Sequence, residues 1–282
     1  MKPKVIAIAG ATASGKTQMS IDLAKKINGE IISADSRLVY KGFDIATAKP
    51  TPEERDGIQH YLIDIVEPEY DYSVAQFYDD AKIAIKKILN KGKIPIIVGG
   101  TGLYFRVLLE NYDLPRVEAD EILRSELENQ SKEDLLNELK KLDSISYERL
   151  YNSNKRRIIR ALEVTKILNV PYSSVCAQKE PEFDVEWLTP KIESREILYQ
   201  RINSRVDKML DLGIVDETKY LLKKHGRIKN LVNTIGYKEI LTYLDGENSL
   251  DEALDKLKQH SRNYAKRQLT WFRRNANLNI TI

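Results

Sequence analysis

Residues 5–17 read VIAIAGATASGKT, and the reading of this stretch decides the fold. Val5–Ala9 is a short continuous apolar run, the mark of a strand buried on both faces of a parallel sheet. It runs straight into Gly10-Ala11-Thr12-Ala13-Ser14-Gly15-Lys16-Thr17, the pattern G-x-x-x-x-G-K-[ST]. In such a loop successive backbone N–H groups point at phosphate oxygens, and the helix that follows adds its positive end. Lys16 then neutralises distal phosphate charge and the Thr17 hydroxyl ligates Mg²⁺. The motif names a phosphate chain with magnesium; it does not name a reaction.

Outward from the loop, strand and helix alternate. Thr17–Ile27 places Met19, Leu23 and Ile27 four residues apart, one face of a helix. Ile31-Ile32 and Leu62–Ile65 read as further strands. Ser73 and Gln76 form a capping-box signal, and Val74–Asn90 then reads as a helix with Phe77, Ala81, Ile85 and Ile88 turned inward. Ile94–Val98 is a second wholly apolar strand, ending in Gly99-Gly100-Thr101-Gly102. The pattern predicts a P-loop NTPase-like α/β core with a doubly wound parallel sheet over residues 1–114. Residues 115–185 carry helical periodicity and many charges, which predicts a mostly helical insert, with Val185–Leu188 returning the chain to the sheet. Residues 186–282 return to the core and add helices at Arg195–Leu212, Asp216–Lys224, Ile235–Leu244 and Ser249–Arg274.

The bulk composition fits this plan. The 282 residues are 42% hydrophobic and 31% charged, with a net charge of +3, so a nucleic-acid partner must be met by a local basic surface. A single cysteine, Cys176, excludes an internal disulfide and is expected to be a small buried hydrophobe. No apolar run approaches the roughly 18 residues of a membrane span. The first strand begins within four residues of Met1, which leaves no room for a leader and sets the expectation of a cytoplasmic protein. His60, His225 and His260 hold no ligand spacing with cysteine, which argues against zinc.

Two further stretches carry chemistry. In IISADSRLVYKGFDIATAKP, residues 31–50, a strand leads to Asp35, where an open α/β sheet presents residues to its ligand crevice. A carboxylate there can sit in a magnesium shell or take a proton from a nucleophile. Ser36, Arg37, Tyr40 and Lys41 beside it make a polar, cationic and aromatic surface suited to nucleic acid. In IPIIVGGTGLYF, residues 94–105, the glycines permit close backbone approach, and the Thr101 hydroxyl can face the same crevice. A helix-capping role for Thr101 is compatible with that.

With these residues the chain resembles the tRNA dimethylallyltransferases (isopentenyltransferases). The resemblance is carried by GATASGKT, SADSRLVYKGFDIATAKP, IPIIVGGTGLYF, RRIIRALEV, SREILYQRINSRVDKML, TIGYKEI and AKRQLTWFRR, in the family's order and over essentially the whole chain. It implies transfer of a dimethylallyl group from its diphosphate to the exocyclic N6 of the adenine just 3′ of the anticodon. The loop would then cradle the diphosphate leaving group of a prenyl donor, with no ATP consumed. By resemblance Asp35 is the general base, Thr101 the hydroxyl near the bridging oxygen, and Lys16, Arg157 and Arg205 the cations around the diphosphate. Gly10, Ala11, Thr12, Ala13, Ser14 and Gly15 complete the donor loop, and Thr17 is the Mg²⁺ ligand. The resemblance also implies tRNA contacts at Asp35, Ser36, Arg37 and Leu38; at Arg156, Arg157, Ile158, Ile159 and Arg160; and at Asn233, Thr234, Ile235, Gly236, Tyr237 and Lys238. Thr101 and Arg124 join that set.

The implied partners are the anticodon stem-loop of tRNA and dimethylallyl diphosphate, with a monomer as the default expectation. One departure is local: the family's proline-asparagine segment before R-x-x-R-A-L-E reads Asn152-Ser153-Asn154-Lys155 here. In the last helix Lys256, Lys258, Arg262, Lys266, Arg267, Arg273 and Arg274 form a basic stripe with Tyr264, Trp271 and Phe272 between them. At helical spacing those aromatics are more often core. Three other readings remain at this point. A small-molecule P-loop kinase would use the loop on ATP, an adenylate isopentenyltransferase would prenylate free AMP, and a non-catalytic RNA-binding protein would leave Lys16, Thr17, Asp35 and Thr101 without a reason to converge.

Overall fold

The computed structural model describes residues 2–176 and 178–275, with Arg274 and Asn275 described as backbone only. The Arg274 end of the expected basic stripe therefore lies outside the described side chains. The chain divides into two compact units, residues 1–108 with 182–282, and residues 109–181.

The first unit opens with β1 (Lys4–Ala9), whose last five residues are all buried, as a strand covered on both faces must be. The loop after it turns through Ala13 at φ 59° and Gly15 at φ 92° into α1 (Lys16–Ile27). Ser20, Ile21 and Ala24 form the buried face of α1, with Met19, Leu23 and Ile27 at its flank. Next come β2 (Gly29–Ala34) and β3 (His60–Tyr61). The strand expected at Leu62–Ile65 does not form, because Leu62 and Asp64 adopt φ of 62° and 56°, left-handed values that break an extended ladder. α2 (Val74–Asn90) carries the complete Ser73–Gln76 capping box and buries Phe77, Ala81, Ala84, Ile85 and Ile88. β4 (Ile94–Gly99) follows, then α3 (Gly102–Leu109), a helix the apolar texture of residues 103–109 had concealed.

The second unit is helical: α4 (Glu121–Glu128), α5 (Lys132–Leu142), α6 (Ser144–Leu150), α7 (Lys155–Leu168) and the single turn α8 (Tyr172–Val175). Asp120, Ser131, Asp143 and Asn154 cap the first four of these helices by accepting backbone N–H groups. Leu127, Leu135, Leu139, Ile158, Ile159 and Leu162 make its core. Ile158 and Ile159 are 0% and 5% exposed, which corrects their expected contact with tRNA: they lie on the inward face of α7, next to the exposed Arg156 and Arg157.

Back in the first unit, β5 (Asp184–Leu188) completes a wholly parallel five-stranded sheet of order β3-β2-β4-β1-β5. In its register Ala9 and Ala34 both lie opposite Gly99, so the loops after β1, β2 and β4 emerge side by side. A Cβ on Gly99 would stand 2.1 Å from the Ala34 carbonyl oxygen, and only glycine lets β2 and β4 close to this distance. The remaining helices are α9 (Arg195–Asp211), α10 (Ile214–His225), α11 (Lys229–Asn233), α12 (Tyr237–Leu244) and α13 (Leu250–Asn275). Among the described residues no helix is long and apolar enough to cross a membrane.

Candidate functional site

The carboxyl ends of β1, β2 and β4 open into a cavity of about 860 Å³. Its wall includes Thr12–Thr17 of the glycine-rich loop, Asp35–Leu38, Gly99-Gly100, Arg205 and Asn233–Ile235. This is where a doubly wound sheet holds its ligands, because loops from neighbouring strands diverge there.

Two cations define the loop side. Lys16 Nζ donates to the Ala11 carbonyl within the loop. Burial pulls the Lys16 ammonium down to about 8, with the Asp35 charge opposing that shift and the Arg205 charge adding to it. Arg205, from α9, donates from Nη1 to Thr12 Oγ1 at 3.0 Å and from Nη2 to the Thr47 carbonyl at 3.1 Å. Burial lowers its pKa too, while the Asp35 and Glu54 charges raise it. Among the described residues neither cation has a carboxylate within ion-pair distance, so both are half-buried with neutral partners only. Burying charge in this way is costly unless a counter-charge arrives.

Asp35 sits one residue past β2, its Oδ1 accepting the Arg37 N–H at 2.8 Å. The Thr101 N–H donates to the Ala34 carbonyl at 3.2 Å, and Thr101 Oγ1 accepts the Ser36 N–H at 3.2 Å. Thr101 does not itself line the cavity, but its partner Ser36 does, and so does Tyr264. Tyr104 and Tyr264 have phenols pushed up by burial first and by the Asp35 charge second, which places all three groups in one neighbourhood.

The oxygen donors suit a hard cation. Among the described residues the buried hydroxyls of Ser14 and Ser33 have no hydrogen-bond partner, and both residues line the cavity with Thr17 and Asp35. Among the described residues no cluster of three or more His, Cys, Asp or Glu is arranged to cage a metal. Such a set fits Mg²⁺, which keeps water and phosphate oxygens as most of its ligands.

Comparison with known proteins decides the family. The sequence model of the family described as IPP transferase matches residues 38–275. The tRNA dimethylallyltransferase of Carboxydothermus hydrogenoformans is 47% identical over 281 residues, covering 97% of this chain and 90% of that protein. The crystal structure of the full-length tRNA isopentenylpyrophosphate transferase of Bacillus halodurans is 44% identical with a TM-score of 0.73, over 99% of this chain and 90% of that one. A eukaryotic dimethylallyltransferase acting on tRNA shares 32% identity and a TM-score of 0.79, over 96% of this chain and 70% of that one. The chain belongs to the IPP transferase family.

In this IPP transferase the other expected site residues fall into separate groups. Arg37 lines the cavity, its Nη1 donating to Asn230 Oδ1 at 3.1 Å, and Leu38 lines it too. Asn233, Thr234 and Ile235 form part of the wall, and Lys238 is exposed. Tyr237 is not available for tRNA: it is 0% exposed, packs on Phe43 at 4.8 Å between ring centroids, and donates its hydroxyl to Glu217 at 2.6 Å. Gly236 is buried as well. Arg124, Arg156, Arg157 and Arg160 belong to the second unit and are not part of the cavity wall. There Arg124 Nε and Arg160 Nη1 meet the fully buried Glu163 at 2.8 and 2.6 Å, and Arg160 Nη2 also donates to the Val117 carbonyl at 2.8 Å. Arg156 and Arg157 remain exposed on the same helix.

Several contributors gave no motif signal. Glu217 accepts the Ile45 and Ala46 N–H groups at 2.9 and 3.3 Å and so holds the turn whose Thr47 carbonyl receives Arg205. Tyr264, expected as core, lines the cavity with the Arg267 guanidinium 5.7 Å over its ring. Phe272 and Trp271 do pack inward, Phe272 fully buried and Trp271 close enough that a Cβ on Gly102 would lie 2.2 Å from its ring.

Proposed function

We propose that the chain transfers a dimethylallyl group from dimethylallyl diphosphate to N6 of the adenine 3′-adjacent to the anticodon of tRNA, releasing diphosphate. The observation that carries this reading is the pair Lys16 and Arg205, two half-buried cations with no carboxylate partner among the described residues, lining the same cavity as Asp35. A diphosphate supplies the missing counter-charge. As the allylic C–O bond breaks, its electron pair and the growing negative charge pass to the leaving oxygens, where preorganised cations stabilise them. The C–N bond forms from the adenine N6 lone pair, and Asp35 accepts the proton that N6 must lose. N6 is a poor nucleophile, so alignment must supply much of the rate. Thr101 orders the turn beside Asp35.

Thr17, with the Ser14 and Ser33 hydroxyls beside it, would hold Mg²⁺, which when bound would supply Lewis-acid help to the leaving group. Asp35–Leu38, Arg156, Arg157, Asn233, Lys238 and the exposed Lys266 and Arg267 are the candidate tRNA contacts. A tRNA-modifying role supports a cytoplasmic location. The test is direct: incubate the chain with Mg²⁺, dimethylallyl diphosphate, ATP, AMP and an anticodon stem-loop. Consumption of the prenyl donor with a prenylated adenosine in the RNA is expected. Prenylation of AMP, or consumption of ATP alone, would overturn the reading.

A further inference from the structure

α13 lays one residue between the two glycine turns of the site. Gln268 is only 6% exposed, and its amide works at both ends: Oε1 accepts the Thr12 N–H at 2.8 Å and Nε2 donates to the Gly100 carbonyl at 3.0 Å. A Cβ on Gly100 would stand 2.0 Å from Nε2, so turn and amide meet with nothing between them. A primary amide alone offers acceptor and donor at one planar tip.

The two bonds reach opposite halves of the proposed chemistry. Fixing the Thr12 peptide fixes the hydroxyl that accepts Arg205 at 3.0 Å, the cation on the donor side. Fixing Gly100 fixes the next residue, Thr101, whose Oγ1 takes the Ser36 N–H at 3.2 Å beside Asp35, on the acceptor side. The path Arg205–Thr12–Gln268–Gly100–Thr101–Ser36 is thus a continuous strut with the amide at its middle. We infer that Gln268, which lines the cavity, is a positioning residue that sets the separation between the donor diphosphate and the acceptor base through the two turns it joins. This rests on the proposed transfer reaction. Because a displacement near 1 Å in such alignment costs about a hundredfold, its signature lies in turnover and not in substrate affinity.

Steady-state kinetics on the full chain test it, with Gln268→Ala, Gly100→Ala and the double variant. Gln268→Ala should lower kcat about a hundredfold, with KM for dimethylallyl diphosphate and for tRNA each within about threefold. Gly100→Ala should cost a similar factor, since its methyl displaces the amide. In the Gln268→Ala background that methyl has room, and Gly100→Ala should add almost nothing, a non-additivity specific to this contact. Gln268→Glu keeps the acceptor and the length, and should fall between wild type and Gln268→Ala. Unchanged kcat in Gln268→Ala, a loss confined to donor KM, or additive effects in the double variant would each overturn the inference. So would a set of Gln268 variants none of which folds, since the residue would then serve stability. A wild-type chain with no transfer activity would instead remove the reaction itself.

Discussion

Two groups of arginine and lysine in this molecule keep opposite company. In the first unit Lys16 and Arg205 end on a backbone carbonyl, a threonine hydroxyl and another carbonyl. In the second unit Arg124 and Arg160 converge on Glu163, which is fully buried and also accepts the Asp120 N–H at 2.9 Å. Burial alone would raise the Glu163 carboxyl, but the two guanidinium groups hold it below the usual carboxylate range. The second arrangement is complete without a ligand and stabilises the fold. The first has no such counter-charge among the described residues. The two groups thus differ in their bonding partners, a buried carboxylate in one and neutral oxygens in the other.

The largest expected effect sharpens that contrast at its one shared acid. The Asp35 charge reaches both Lys16 and Arg205 yet pairs with neither at ion-pair distance. Asp35→Asn keeps shape and cannot accept a proton, so kcat should fall by roughly 10²–10⁴ with little change in donor affinity. Normal turnover with altered Mg²⁺ dependence would make Asp35 a metal-shell residue instead. Next, Lys16→Ala should lower kcat by about 10²–10³, the scale of one lost electrostatic stabiliser, while tRNA binding persists. Near-normal rates at saturating donor would sink the assignment of the loop.

Glu163→Gln addresses the other side of the comparison. It should destabilise the fold by about 1–3 kcal/mol in denaturant melts, because Arg124 and Arg160 lose a buried charged acceptor, and leave kcat of the folded fraction alone. The pH effect is smaller. With Lys16 at about 8, its ammonium is lost as pH rises through that value, so donor affinity should weaken above pH 8 by up to about tenfold per unit. Lys16→Arg keeps its charge and should flatten the profile. Smallest is the salt response. Arg156→Ala and Arg157→Ala should each reduce the slope of log affinity for tRNA against log salt by about one, with unchanged melting, whereas Arg160→Ala should lower the melting temperature.

Legibility in the sequence followed locality. The apolar run of β1, the loop after it and the Ser73–Gln76 box are contiguous signals, and β1, α1 and α2 lie where they predict. Leu62–Ile65 misled because an apolar run does not reveal the left-handed backbone of Leu62 and Asp64. Ile158, Ile159 and Tyr237 misled for another reason: a contiguous motif crosses both faces of a helix, and only one face can meet a ligand. Gln268 was illegible because its partners lie 256 and 168 residues away in the chain. Its surroundings, AKRQLTWFRR, read as a basic stripe.

The central claim is that the half-buried, unpaired cations exist for a diphosphate, and Arg205 is the residue on which it turns. Calorimetric titration of dimethylallyl diphosphate into wild type and Arg205→Met, with a melting curve of each, tests it most directly. Removing a half-buried cation, with no ion pair to break, should leave the melting temperature unchanged or raised. Donor affinity should fall by at least about tenfold, the scale of a lost charged hydrogen bond. A lowered melting temperature with donor affinity intact would make Arg205 a structural arginine like Arg124 and Arg160, and would contradict the account.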